Sequence, residues 1–241
     1  MKVVYDEKNR VAQKQYRVDG TGHQTKYLYG EVSKQQKPGL GYGMQIDGKT
    51  CIEYAYDLLG RCKKKTQIYP SGKKKEITYT YVQGIKEGTT TALVGTITEN
   101  GKETAYTYDG RGNILEICTK ELDTGKVTDH MLYTYTGMNQ VIREEDAVRG
   151  RTFTYAYDLG GNLLENKKYD QVNGVEELRG TDTYTYSSGW KDQLTSFNGK
   201  AITYDAMGNP LSYMGMSLTW EKGRQLKTCL LYTSDAADEL D

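Results

Sequence analysis

The stretch Tyr155-Ala156-Tyr157-Asp158-Leu159-Gly160-Gly161-Asn162-Leu163-Leu164 decides the fold. It reads as the end of one β-strand, a tight turn and the start of the next. Tyr155 and Tyr157 are two apart and share one strand face, with Thr154 and Ala156 on the other. Asp158 is placed to hydrogen-bond the backbone of the turn it opens. Gly161 supplies the positive φ of a tight turn, and Asn162 also tolerates turn geometry. Leu163 and Leu164 restart an apolar run.

The pattern recurs in register along the chain. Tyr54, Tyr56, Asp57 and Gly60 form one full copy, with Arg61 after the glycine. Tyr106, Tyr108, Asp109, Gly112 and Asn113 form a second. The quoted stretch, with Tyr155, Tyr157, Asp158, Gly161 and Asn162, is a third; Tyr204, Asp205, Gly208 and Asn209 make the last. Weaker copies lie at Tyr5-Asp6, Tyr27–Tyr29, Tyr79–Tyr81, Tyr133–Tyr135 (where Asn139 replaces the turn glycine) and Tyr184–Tyr186. Trp220, Gly223 and Arg224 close the series, with Trp in the tyrosine position. Successive anchors stand 16 to 29 residues apart, a range in which each unit is one supersecondary element. Second turns lie between them at Glu99-Asn100-Gly101-Lys102, Asp123-Thr124-Gly125-Lys126 and Val172-Asn173-Gly174-Val175; Asn-Gly between strand-like runs is a strong hairpin signal. Each repeat is therefore expected to be a hairpin paired to its neighbours, since one hairpin alone is marginal in water. No window holds helical spacing. The expected fold is all-β: antiparallel hairpin repeats forming part of a curved sheet. The segment Gln83–Val94 lacks a clean pattern and is expected to be a longer irregular loop.

Composition agrees. Leu, Ile, Val and Phe make up about 18% of the 241 residues, below the roughly 20% expected of a globular chain. The 22 Tyr compensate, because a tyrosine ring builds a packed layer while its hydroxyl stays polar. Two partly polar sheet faces are expected. Net charge is zero, so nothing marks a nucleic-acid surface. Lys63–Lys65 and Lys73–Lys75 flank Pro70-Ser71-Gly72 and read as a solvated hairpin. No apolar run approaches the roughly 20 residues of a membrane span, and Met1–Asp6 shows no signal-peptide core.

The last segment is set apart. Cys229–Glu239 resembles a translated transposon mosaic-end adapter from sequencing libraries, so residues 229–241 are expected to be a non-native tail and 1–228 the repeat region. Of the cysteines, only Cys51, Cys62 and Cys118 then belong to the repeats; their scatter supports neither a disulfide framework nor a zinc site, and a pairing between two of them stays open. Cys118 reads as a small half-buried filler.

Chemistry is scarce. Asp57, Asp109, Asp158 and Asp205 hold the same turn position, so turn stabilisation explains all four with one cause. No EF-hand-like calcium loop is present. His23 and His130 lie in no nucleophile or metal motif, and Gly110-Arg111-Gly112-Asn113 opens no helix and is no phosphate loop. No catalytic residue, cofactor or metal ligand is expected.

The motif Tyr-x-Tyr-Asp-x-x-Gly-Asn/Arg-x-Leu resembles the YD repeat of rearrangement-hotspot (RHS) proteins, and Trp220-Glu221-Lys222-Gly223-Arg224-Gln225-Leu226 resembles the variant of their last repeats. The resemblance covers about Tyr5 to Lys227. In that family, and in the similar teneurins and toxin-complex subunits, the repeats spiral into a hollow shell around a C-terminal toxin or peptide. The resemblance thus implies a non-catalytic wall segment of a bacterial secreted or cell-surface protein. Its partners would be the rest of the shell and the enclosed toxin; the family's core segment and any toxin domain find no match in this chain. The alternative is a carbohydrate- or surface-binding repeat module, disfavoured because wall-binding repeats carry paired Trp and this chain has only Trp190 and Trp220.

Overall fold

A computed structural model describes residues 1–31 and 36–231. The chain divides into two units, Met1–His130 and Met131–Asp241.

The first unit is an antiparallel meander of β1 (Lys2–Tyr5), β2 (Val11–Val18), β3 (Thr21–Tyr29), β4 (Gly41–Ile46), β5 (Lys49–Tyr56), β6 (Cys62–Ile68), β7 (Lys74–Gln83), β8 (Thr90–Glu99), β9 (Lys102–Tyr108) and β10 (Ile114–Glu121). Each strand pairs with the next in sequence. β11 (Val127–Tyr135) spans the unit boundary. The second unit continues through β12 (Val141–Asp146), β13 (Arg151–Tyr157), β14 (Leu163–Val172), β15 (Val175–Tyr186), β16 (Leu194–Phe197) and β17 (Lys200–Ala201), again pairing in order. A three-stranded sheet of β18 (Ser212–Tyr213), β19 (Met216–Glu221) and β20 (Gln225–Leu231) ends it.

Both kinds of turn are present. At Asn100-Gly101 and Asn173-Gly174 both residues take positive φ, the two-residue hairpin geometry that Asn-Gly favours. Asp19-Gly20, Asp47-Gly48 and Asn198-Gly199 do the same. Asp123-Thr124-Gly125 closes a wider turn, from Glu121 to Lys126. The expected long loop at Gln83–Val94 is corrected. Strand β7 reaches Gln83 and β8 begins at Thr90, leaving only residues 84–89 as loop. The irregularity appears instead as two register shifts in the β7–β8 ladder. There Thr90 and Thr91 hydroxyls bond the Val82 carbonyl and hold an unpatterned sequence in the sheet.

The register puts every tyrosine pair of a unit on one face, because opposed residues of an antiparallel ladder share a side. In the first unit Tyr54, Lys65, Ile77, Tyr79, Ile97, Thr104, Tyr106 and Ile117 lie on this tyrosine face. The opposite, threonine face carries Ala55, Lys64, Thr78, Thr98, Glu103 and Lys120 in one row and Thr80, Thr96, Ala105 and Cys118 in the next. The second unit repeats the division, with Tyr155, Asn166 and Asp182 on one side and Thr154, Lys167 and Thr181 on the other. Both faces carry charge: Lys75–Glu99 and Lys168–Asp182 on the tyrosine face, Lys64–Glu76 and Lys120–Glu103 on the threonine face. One lysine of each cluster, Lys64 and Lys75, is thus paired with a glutamate. Among the described residues Ile202, two positions before Tyr204 where other repeats have their first tyrosine, is the only buried hydrophobic side chain. These are single-layer sheets without a central core.

Each second tyrosine, and Trp220, marks a β-bulge. Tyr157 pairs with Leu163 and Ala156 with Glu165, so Leu164 is skipped. The same shift follows Ala55, Thr134, Thr185 and Thr219. A bulge bends its strand and increases local twist, so curvature enters once per repeat.

Candidate functional site

The repeated Tyr-Asp turn is the feature most often built in this chain, and its geometry is nearly constant. In the turn opened by Asp158, the Asp158 amide donates to the Asn162 carbonyl (3.0 Å) and the Gly161 amide to the Asp158 carbonyl (3.1 Å). The carboxylate then closes the loop from within. Oδ1 accepts the amides of Gly160 and Asn162, both at 2.8 Å, and Oδ2 accepts the Asn162 side-chain amide at 2.8 Å. Asp109 and Asp205 make the same bonds with Asn113 and Asn209. Asp6 and Asp57 make them with the Nε of Arg10 and Arg61. In the Thr136 variant the hydroxyl accepts from the amides of Met138 and Gln140. The residue before the clamp is always left-handed, as Gly60, Gly112, Gly161, Gly208, Asn9 or Asn139.

These bonds lower the carboxyl pKa of every motif aspartate. The Asn side chain is the main cause at Asp109, Asp158 and Asp205, and Arg10 at Asp6. At Asp57 burial pulls upward, but the Arg61 bonds outweigh it. All four aspartates of the full copies are thus committed to their own turns.

The clamp residue also reaches the following turn. Asn162 Nδ2 donates to the Lys191 carbonyl (3.2 Å) and Asn209 Nδ2 to that of Gly223 (2.8 Å). Arg61 reaches the Thr91 carbonyl and the Thr90 hydroxyl, and its guanidinium stacks 4.0 Å over Tyr81; Arg10 stacks 3.9 Å over Tyr29. The second tyrosine ties back. Tyr157 Oη donates to the Val141 carbonyl (2.7 Å), Tyr81 to Cys62 (2.8 Å) and Tyr186 to Leu163 (3.0 Å), each carbonyl being the first after the preceding turn. Trp220 substitutes its indole N–H, donating to Pro210 at 2.7 Å. The turn after it differs: Lys222 and Gly223 are both left-handed, Glu221 pairs with Gln225, and Arg224 forms no clamp.

Other expectations resolve on these contacts. Asn162 clamps the carboxylate rather than supplying a left-handed turn residue. The tyrosines do not form a continuous ring ladder. Tyr54 and Tyr56 are ring neighbours at 6.4 Å, whereas Tyr29 and Tyr81 are covered by arginine. Burial raises the hydroxyl pKa of the buried tyrosines, to about 12 at Tyr155, whose Oη donates to Glu144 at 3.2 Å. They remain donors at any physiological pH. All four cysteines are free thiols. The tail expected at 229–241 supplies Cys229–Leu231 to β20, and residues 232–241 lie outside the described residues.

Sequence reading missed two carboxylate–histidine pairs, because strand pairing alone brings their members together. His23 Nδ1 lies 2.7 Å from Asp47 Oδ2, beside an open depression of about 950 Å³ lined by Lys2, Tyr16, Arg17 and Gln24. His130 Nε2 lies 2.7 Å from Glu116. Neither pair has a Ser, Thr or Cys bonded to it as a nucleophile. Among the described residues no three His, Cys, Asp or Glu side chains converge as a metal site would require.

The fold and the turn together define an all-β, YD-type repeat sheet. Comparison with solved structures places the same fold in Tc toxin chains that contain RHS/YD-repeat shells. The chain superposes on a crystal structure of TcdB2-TccC3-Cdc42 with a TM-score of 0.66 and 16% identity, over 96% of its own length and 14% of that chain. It superposes on the Photorhabdus luminescens Tc holotoxin pore with a TM-score of 0.66 and 15% identity, over 95% of its length and 14% of that chain. It thus spans about a seventh of the length of either. No family model and no curated protein matches it.

Proposed function

We propose that this chain is a non-catalytic wall segment of an RHS/YD-repeat shell that encapsulates a C-terminal toxin or effector in a bacterial secreted or cell-surface protein. One observation carries the reading: the same aspartate-clamped turn is built five times, and its clamp residue bonds onward to the next turn at Arg61, Asn162 and Asn209. Such turns consume the carboxylates, amides and hydroxyls that a catalytic or binding site would leave available. They spend them on holding neighbours side by side, which is what a wall requires. The motif tyrosines support this over a glycan-binding module. They are half-buried, and the second of each pair is tied by its hydroxyl to the sheet rather than offered as a stacking platform. The partners are the remainder of the shell and the polypeptide it encloses.

The test is to recover the gene beyond the codon for Thr228, express the whole product, image it and digest it with protease. A hollow particle with a protease-resistant C-terminal polypeptide is expected. An open sheet with no protected polypeptide would remove the encapsulation reading.

A further inference from the structure

The two sheet faces differ, and the second unit records which way its sheet curls. Arg143 on β12 makes an ion pair with Glu176 on β15, across β13 and β14. The register places Arg143 opposite Thr154 and then Lys167, while Glu176 stands opposite Gln171, four residues further along β14. In a flat sheet their Cα atoms would be about 20 Å apart, from three strand spacings of ~4.8 Å and four residues of ~3.3 Å. Fully extended Arg and Glu side chains do not span that distance. Along this diagonal the sheet is therefore concave on the face that carries both. Thr152, between them on β13, donates to the same Glu176 carboxylate at 3.0 Å and is 1% exposed. Glu145 completes the network on Arg143 Nε at 2.6 Å.

This concave side is the threonine face. In the first unit side-chain volume favours the same sense of curvature. Tyrosine and isoleucine occupy one side, while Thr78, Thr80, Thr96, Thr98 and Ala105 occupy the other; a single-layer sheet crowds its concave side and spreads its convex one. In the first unit that face also carries the ion pairs Lys64–Glu76 and Lys120–Glu103.

We infer that the threonine face of this chain lines the interior of the shell and contacts the enclosed polypeptide, with the tyrosine face outside. The inference rests on the shell reading above. In the first unit a lining rich in small side chains and ion pairs offers an enclosed chain little apolar surface to adhere to. The enclosed polypeptide is then held by confinement, and it leaves without breaking strong contacts with this wall.

Two experiments test this. In the 241-residue chain, Arg143→Met, Glu176→Gln and the double variant are compared by urea unfolding. The double variant is expected to shift the midpoint no further than the worse single variant. Fully additive shifts would mean that the two groups do not meet in solution, and the curl would fall with them. In the whole gene product, single-cysteine variants are labelled with a bulky polyethylene glycol maleimide, every other cysteine being changed to serine. Cys118 and Thr154→Cys probe the threonine face, Gln67→Cys and Lys168→Cys the tyrosine face. The threonine-face probes are expected to react at least an order of magnitude more slowly than in the isolated chain, and the tyrosine-face probes equally fast in both. Slow tyrosine-face and fast threonine-face labelling would overturn the assignment and leave the shell reading standing. Fast labelling of both would remove enclosure itself.

Discussion

At the residue scale the motif aspartate acts as an intramolecular ligand for its own turn. A carboxylate that accepts three N–H bonds is favoured in its charged form, so its pKa falls on folding. A depressed folded pKa contributes stability that is present above the unfolded value, about 4, and is lost as pH falls through the lower folded value. Stability attributable to Asp109, Asp158 and Asp205 should therefore be constant from neutral pH to about pH 4 and fall only below it. Urea midpoints measured across that range check this; a triple Asp→Asn variant should be less stable at neutral pH and lose part of the acid limb. Gly161 answers a backbone requirement, with φ at +91°. Gly161→Ala should cost about 1–2 kcal/mol by chemical denaturation. Tyr157→Phe removes one hydroxyl, deprives the Val141 carbonyl of its 2.7 Å donor and should cost about 1 kcal/mol.

At the scale of the element, the question is what joins one hairpin to the next beyond the ladder. Arg61 holds Asp57, stacks on Tyr81 and bonds Thr90 and Thr91. That combination needs a planar cation with several donors, which lysine lacks. Arg61→Lys should therefore resemble Arg61→Ala, both accelerating amide exchange in the Asp57–Arg61 turn and in the first residues of β8. Recovery of protection by lysine would show that charge alone suffices. Trp190 covers the next turn in a comparable way: a Cβ on Gly208 would lie 3.2 Å from its ring. Gly208→Ala should be more costly than Gly208→Ala in a Trp190→Ala background, read as thermal midpoints.

At the scale of the whole molecule, each unit is an array of nearest neighbours without a shared core, since Ile202 is the only buried hydrophobic side chain among the described residues. Stability in such arrays is close to a sum of local terms. Hydrogen exchange in the Asp158→Asn variant should report loss of protection in β13 to β15 while β5 to β8 keep theirs. Uniform loss across both units would reveal global cooperativity instead. Among the described residues strand β20 pairs only with β19, and it exposes Leu230 and Leu231 at 57% and 65%. Such an edge is a template for another strand. The isolated chain should self-associate with rising concentration, and Leu230→Lys should reduce this in analytical ultracentrifugation.

Much of this was legible in the sequence, for a local reason. The spacing of Tyr155 and Tyr157, the Asp that follows and the Gly three residues later act within a few residues of one another, so strand, turn and repeat could be read without tertiary information. Asn-Gly pairs announced hairpins because few residues tolerate two consecutive positive φ values. Position-specific roles set by neighbours were not legible. Asn162 read as a turn residue but proved to be a clamp. The tyrosines read as builders of a packed layer, yet their hydroxyls fasten one repeat to the previous one. Gln83–Val94 read as loop because its pattern is poor, while hydroxyl bonds from Thr90 and Thr91 to Val82 help keep half of it in the sheet. The sequence alone determined that this chain is a row of β-hairpins, since strand alternation and turn chemistry are local properties. Only the tertiary structure decided how the hairpins fasten together and which side chains meet across the sheet. Those depend on partners thirty or more residues away, such as Arg61 with Thr91 and Arg143 with Glu176, whose meeting no local pattern encodes.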